Sequence, residues 1–167
     1  MDAPSLPSAF RPVDRWFAAY AADHQHPRNQ QLHVICVPAI VWSLLAILHA
    51  IPTPSMLGAT LPAYGVIAAL LSTLALFFWL WMSLPLGLGI AVLAALSLVG
   101  NAAIIKSAGA AALLWSGIIV FVIAWVGQFI GHHIEGRRPS FFTDLVYLLI
   151  GPPWVLAKAY RSVGLRW

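Results

Sequence analysis

Between residues 29 and 134 the chain carries a single charged side chain, Lys106. A soluble domain holds about 25% charged residues and needs that polar surface to stay in water. Over all 167 residues the charged fraction here is 8% and the hydrophobic fraction 61%, with a mean hydropathy of +0.87. An ordinary soluble enzyme, a disordered chain and a disulfide scaffold are all excluded. What remains is a small integral membrane protein, all-α, in one domain covering residues 1–167.

Apart from Lys106, the ionic groups lie in the two end segments, and so does the net charge of +4. Near a bilayer, Lys and Arg report topology and anionic lipid, so the expected partner is the lipid bilayer and not nucleic acid. Cys36 is the single cysteine, so neither an intrachain disulfide nor a CxxC metal site can form. The N-terminus has no basic start followed by an apolar run and a cleavage site, so it does not read as a signal peptide. The first apolar span is expected to direct insertion.

A spanning helix needs about 20 apolar residues. Four stretches qualify, at roughly 32–51, 61–81, 86–105 and 110–130, the first with Pro38 inside it as an expected kink. They do not alternate as barrel strands would. Ahead of them, DRWFAAYAADH fits a short amphipathic helix with Trp16, Phe17 and Tyr20 on its apolar face, suited to the membrane surface. After them, residues 141–160 are apolar but interrupted at Gly151, Pro152 and Pro153. Proline removes a backbone donor and disfavours helix before it. The expectation is a re-entrant or interfacial helical hairpin, not a fifth crossing. Four crossings put Arg11, Arg15 and Arg28 on the same side as Arg137, Arg138, Lys158, Arg161 and Arg166. By the positive-inside rule that side is the cytoplasm. The membrane would be the inner one in a bacterium, or the endoplasmic reticulum in a eukaryote. Gly87, Gly89 and Ala91 are candidates for helix packing within or between chains, which leaves the oligomeric state open.

The chemistry concentrates in two segments, HQHPRNQQLH (24–33) and QFIGHHIEGRRPSFFTD (128–144). Five of the six histidines, His24, His26, His33, His132 and His133, fall at the cytoplasmic end of the first or fourth span, and only His49 at the far end. If those spans pack together, imidazoles meet the carboxylate of Glu135, the amide of Asn29 and the guanidinium of Arg138. Imidazole with carboxylate is a ligand set for zinc or non-haem Fe(II). His132 and Glu135 share a helix face at i and i+3, and Asn29 and His33 at i and i+4. Histidine is also common at membrane interfaces without any ligand role. No HExxH occurs, so a zincin is unsupported, and six histidines are too few for the eight-histidine di-iron pattern of membrane desaturases.

Other residues have plainer readings. Trp79, Trp81, Trp115, Trp125 and Trp154 suit the aromatic belt or packing. Asn101 and Gln128 suit interhelical hydrogen bonds, and Gln128, one turn before His132, equally suits orienting a ligand. Arg137 and Arg138 serve either as the positive-inside signal or as a clamp for a carboxylate head group. Asp144 suits the N-terminal end of the last helix.

HQHPRNQQLHVICVP resembles the pattern H-x-[NH]-P-x-N-x-x-[IL]-H-x-x-x-x-P. WVGQFIGHHIEGRRPSFFTDLVYLLIGPPWVL resembles W-x-x-Q-F-x-G-H followed by E-[GK]-x-[RK]-P-[AS], D and GP. Both motifs, their order and the spans between them are similar to the Mpo1-like family. The resemblance implies an Fe(II)-dependent dioxygenase that shortens 2-hydroxy fatty acids by one carbon, with the fatty acid and O2 as substrates. It puts His24, Asn29, His33, His132 and Glu135 on the family's motif positions. The metal ligands it implies are His24, His33 and His132, with a fourth contact from His26, His133 or Glu135. Arg137 or Arg138, with Asn29, would bind the substrate. Two rivals follow from the same residues, namely a zinc-dependent membrane lipid hydrolase and a non-enzymatic scaffold or carrier. A carrier should hold its polar groups near the bilayer midplane, whereas these gather at one face.

Overall fold

The computed structural model describes residues 11–54, 61–136 and 141–167, with side chains throughout these except at 141–146. The described residues form six helices and no strand. They are α1 (Pro12–Asp23), α2 (Pro27–His49), α3 (Val66–Met82), α4 (Leu84–Ala108), α5 (Ala110–Glu135) and α6 (Phe141–Ser162).

Three helices, α2, α4 and α5, are long and apolar enough to cross a membrane. The expected second span is shorter than foreseen. It starts at Val66 because Gly65, at φ 87°, makes a turn whose N–H donates to the His49 carbonyl at 3.1 Å. Its 17 residues reach roughly 26 Å at 1.5 Å per residue, against a hydrocarbon core about 30 Å thick. On α4 and α5, Leu88, Val92, Leu96, Ile119, Val122 and Val126 are exposed on the model surface. Exposed apolar rows of this length suit lipid and not water.

α2 begins earlier than the apolar pattern suggests, because its polar first turn is already helical. Pro27 occupies N1, where its missing N–H costs nothing, and the His26 side chain accepts from the Arg28 N–H at 3.2 Å.

The most extensive helix pair is α2 against α5, running antiparallel, and glycine makes it close. A Cβ on Gly127 would stand 2.6 Å from Cys36 Sγ, and one on Gly117 would stand 3.1 Å from the Ser43 carbonyl. A Cβ on Gly131 would collide with the Asn29 side chain. Gly127 and Gly131 form a GxxxG pair, the spacing that lets membrane helices touch backbone to backbone. Gly87 and Gly89 also serve packing within the chain, against Leu80 of α3 and against Leu156 and Tyr160 of α6.

Two expectations are corrected. α6 is one helix with Pro152 and Pro153 inside it, not a hairpin broken there. Pro153 cannot donate to the Leu149 carbonyl four residues back. Trp79 Nε1 of α3 donates to that carbonyl instead, at 2.7 Å, so the lost bond is replaced from outside the helix. α1 is helical as expected, but its apolar face turns inward. Val13, Phe17 and Tyr20 are buried with Trp79, Met82, Leu86, Ile150 and Trp154, while Trp16 remains exposed.

Candidate metal centre

The close α2/α5 contact brings the N-terminal end of α2 and the C-terminal end of α5 together. His33 stands one turn into α2 after Asn29, and His132 stands in the last turn of α5. α1 ends against them, with His24 as its C-cap. Each of the three imidazoles offers a nitrogen within 4.8 Å of the other two. The ring centroids of His24 and His33 are 4.3 Å apart, and His132 lies 5.4 Å from the first and 5.3 Å from the second. His24 and His33 are almost fully buried, and His132 is half-buried.

Local bonds fix the tautomers. His24 Nδ1 lies 2.7 Å from the Tyr20 carbonyl, and His33 Nδ1 lies 2.9 Å from the Asn29 carbonyl. A ring nitrogen facing a carbonyl must donate, so in the neutral form of either ring Nε2 carries the lone pair. A metal-bound histidine is held in the same way. The Tyr20 ring stacks on His24 at 4.1 Å and 13°. Burial pushes His24 below the ordinary imidazole pKa, against the opposing pull of the Tyr20 carbonyl. Its neutral form, the one that binds metal, is therefore favoured. Three imidazoles in one cluster, two of them with Nδ1 held by a carbonyl, can hold a metal ion.

Glu135 and Asn29 serve the cluster from outside it. The Glu135 carboxylate accepts from the Gln25 N–H at 2.9 Å, from the His26 N–H at 2.9 Å and from Asn29 Nδ2 at 2.9 Å. These backbone donors lead into the first turn of α2, where N–H groups lack helical partners and a negative charge is favoured. Glu135 thus ties the segment that carries His24 to the helix that carries His132. His26 is exposed, with its Nδ1 used at the α2 cap, and His133 is exposed on α5. Neither joins the three clustered rings. Arg137, Arg138 and the side chain of Asp144 lie outside the described residues.

A cavity of about 50 Å³ adjoins the cluster. His24, His33 and His132 line it together with Tyr20, Val37, Ile40, Trp125, Gln128, Tyr147 and Leu148. Gly151 lets α6 close in beneath it, since a Cβ there would stand 3.3 Å from the Tyr20 hydroxyl and from Val37. Tyr20 and Tyr147 were not singled out as site residues from sequence. The only local signal is the Tyr20/His24 spacing of four, which places the tyrosine carbonyl under the imidazole.

Fold and site together define a helical membrane protein with a buried tri-histidine cluster at one end of its bundle. A family model described as 2-hydroxy-palmitic acid dioxygenase Mpo1-like matches residues 10–163, and the chain belongs to this family. A Saccharomyces cerevisiae protein named 2-hydroxy-palmitic acid dioxygenase MPO1 is 31% identical over 138 residues, covering 82% of this chain and 72% of the yeast protein. No solved structure matches the chain.

Proposed function

We propose that the protein is an Fe(II)-dependent dioxygenase that shortens 2-hydroxy fatty acids by one carbon at the cytoplasmic face of its membrane. The observation that carries this reading is the His24, His33 and His132 cluster beside a cavity with apolar walls. Family membership and the yeast relative's name favour oxygen chemistry over hydrolysis. Fe(II) held by the three imidazoles would supply the one-electron chemistry that dioxygen needs to react with a closed-shell acid.

The balance needs no outside reductant. One 2-hydroxy acid and one O2 yield the acid one carbon shorter, one CO2 and one water. The C1–C2 bond breaks, and the electrons released reduce the oxygen.

The chain's own residues set up this chemistry. His24 and His33 present neutral Nε2 atoms because their Nδ1–H groups are bound to carbonyls. Glu135 and Asn29 act as positioning residues that hold the α1–α2 junction against α5. Val37, Ile40 and Leu148 exclude water from the cluster. The acyl tail stays among apolar helices and lipid. Arg137 and Arg138 remain candidate partners for the carboxylate.

The test uses protein purified in detergent and loaded with Fe(II) anaerobically. With 2-hydroxypalmitate and O2 it should yield pentadecanoate, with one O2 consumed per acid. No odd-chain product, or equal turnover by the zinc-loaded protein without O2, overturns the proposal.

A further inference from the structure

α5 carries more than a histidine into the cavity. Trp125, Gln128 and His132 follow at i, i+3 and i+7, so one stripe of the helix faces the cluster. Trp125 Nε1 and Gln128 Nε2 are both buried, and neither has a hydrogen-bond partner among the described residues. Gln128 as a whole is 5% exposed. Buried donors are nearly always paired, so two unpaired donors on one stripe of α5, on residues beside the cavity, point to a group that meets them.

The donors define that group's chemistry. An indole N–H can only donate, so the ligand must present an acceptor. Both donors are neutral, and no Lys or Arg is among the described residues lining the cavity. A buried anion on neutral donors needs a nearby cation, and the tri-histidine cluster is where a metal cation would sit. A cavity of about 50 Å³ has room for roughly four water-sized groups, at 10–15 Å³ each. That is the size of a polar head, not of an acyl chain.

We propose that Trp125 Nε1 and Gln128 Nε2 form the seat for the substrate's carboxylate, one to two helical turns from His132, and so select a 2-hydroxy acid over other 2-hydroxy lipids. The assignment rests on the functional reading above and adds the residues that recognise C1. The carboxylate has lone pairs enough to meet the donors on one oxygen while the other faces the cluster.

The test measures binding without turnover, on the full chain loaded with redox-inert zinc. The probes are 2-hydroxypalmitate and 1,2-hexadecanediol, which share a 2-hydroxyl and a tail but differ at C1. Gln128→Glu turns the donor into a like charge, and Trp125→Phe keeps an aromatic ring without the N–H. Each should weaken acid binding about tenfold or more, as expected for a lost hydrogen bond to a charged group. Diol binding and metal stoichiometry should stay as in the parent. Acid affinity unchanged in both variants, acid and diol affinities falling together, or metal lost from both, overturns the seat. Parent protein that binds the acid selectively with zinc, yet never oxidises it when loaded with Fe(II) and given O2, overturns the dioxygenase reading instead and leaves the seat standing.

Discussion

The indole nitrogen of Trp79 donates to the carbonyl of Leu149 at 2.7 Å, and that carbonyl is the one Pro153 leaves without a helical donor. A residue on α3 thereby supplies the donor that one of the two prolines inside α6 takes away. Trp79→Phe should cost about 1–3 kcal/mol, the usual penalty for a buried polar group left unpaired. Pro153→Ala returns a helical N–H to Leu149, so Trp79→Phe should cost measurably less in that background. Unfolding in detergent across the double-mutant cycle checks this. Equal costs in both backgrounds would show that the indole only fills space.

Metal content should separate the histidines. Replacing His24, His33 or His132 with alanine should reduce bound iron from about one per chain to near none, as a three-ligand site loses a ligand. His26→Ala and His133→Ala should keep the parent's stoichiometry, because both side chains are exposed and apart from the cluster. Elemental analysis after gel filtration reads the result. A bound metal that survives His132→Ala contradicts the assignment.

Glu135→Ala tests positioning against ligation. The carboxylate is engaged by the N–H groups of Gln25 and His26 and by Asn29. Removing such an outer support should lower metal affinity about 10–100-fold while full loading is still reached at higher metal concentration. A competitive chelator titration measures it. Complete loss of binding at every metal concentration would make Glu135 a ligand.

Gly127→Ala should destabilise the bundle by about 1–3 kcal/mol, the range for overpacking a well-filled core. The new Cβ would stand 2.6 Å from Cys36 Sγ. Cys36→Ala removes that sulfur, so the double variant should recover most of the loss. A glycine effect indifferent to residue 36 would place its cause elsewhere.

The parts of the molecule legible in sequence are those with a local signature. Three of the four expected spans are present as long apolar helices, and His24, His33 and His132, about a hundred residues apart, do come together. The unbroken α6 was not legible, because the donor that rescues Leu149 comes from Trp79, seventy residues away. Burial of Phe17 and Tyr20 against the bundle was not legible either, since an apolar helix face looks the same whether it meets lipid or protein. Glu135 shares a helix face with His132 at i and i+3 and is, on sequence, one of three alternatives, with His26 and His133, for a fourth metal contact. Its carboxylate accepts from Gln25, His26 and Asn29, contacts that the α2/α5 packing sets and that spacing does not reveal.

The order of the three histidines along the chain fixes when the centre can exist during synthesis. His24 and His33 leave the ribosome early, before most of the hydrophobic chain, and His132 follows after α3, α4 and most of α5. A nascent protein therefore carries two imidazoles that cannot close around a metal until α5 is in the bilayer beside α2. Any metal the cluster holds would therefore bind late, once insertion is complete. A chain halted before α5 ends would carry two of the three imidazoles.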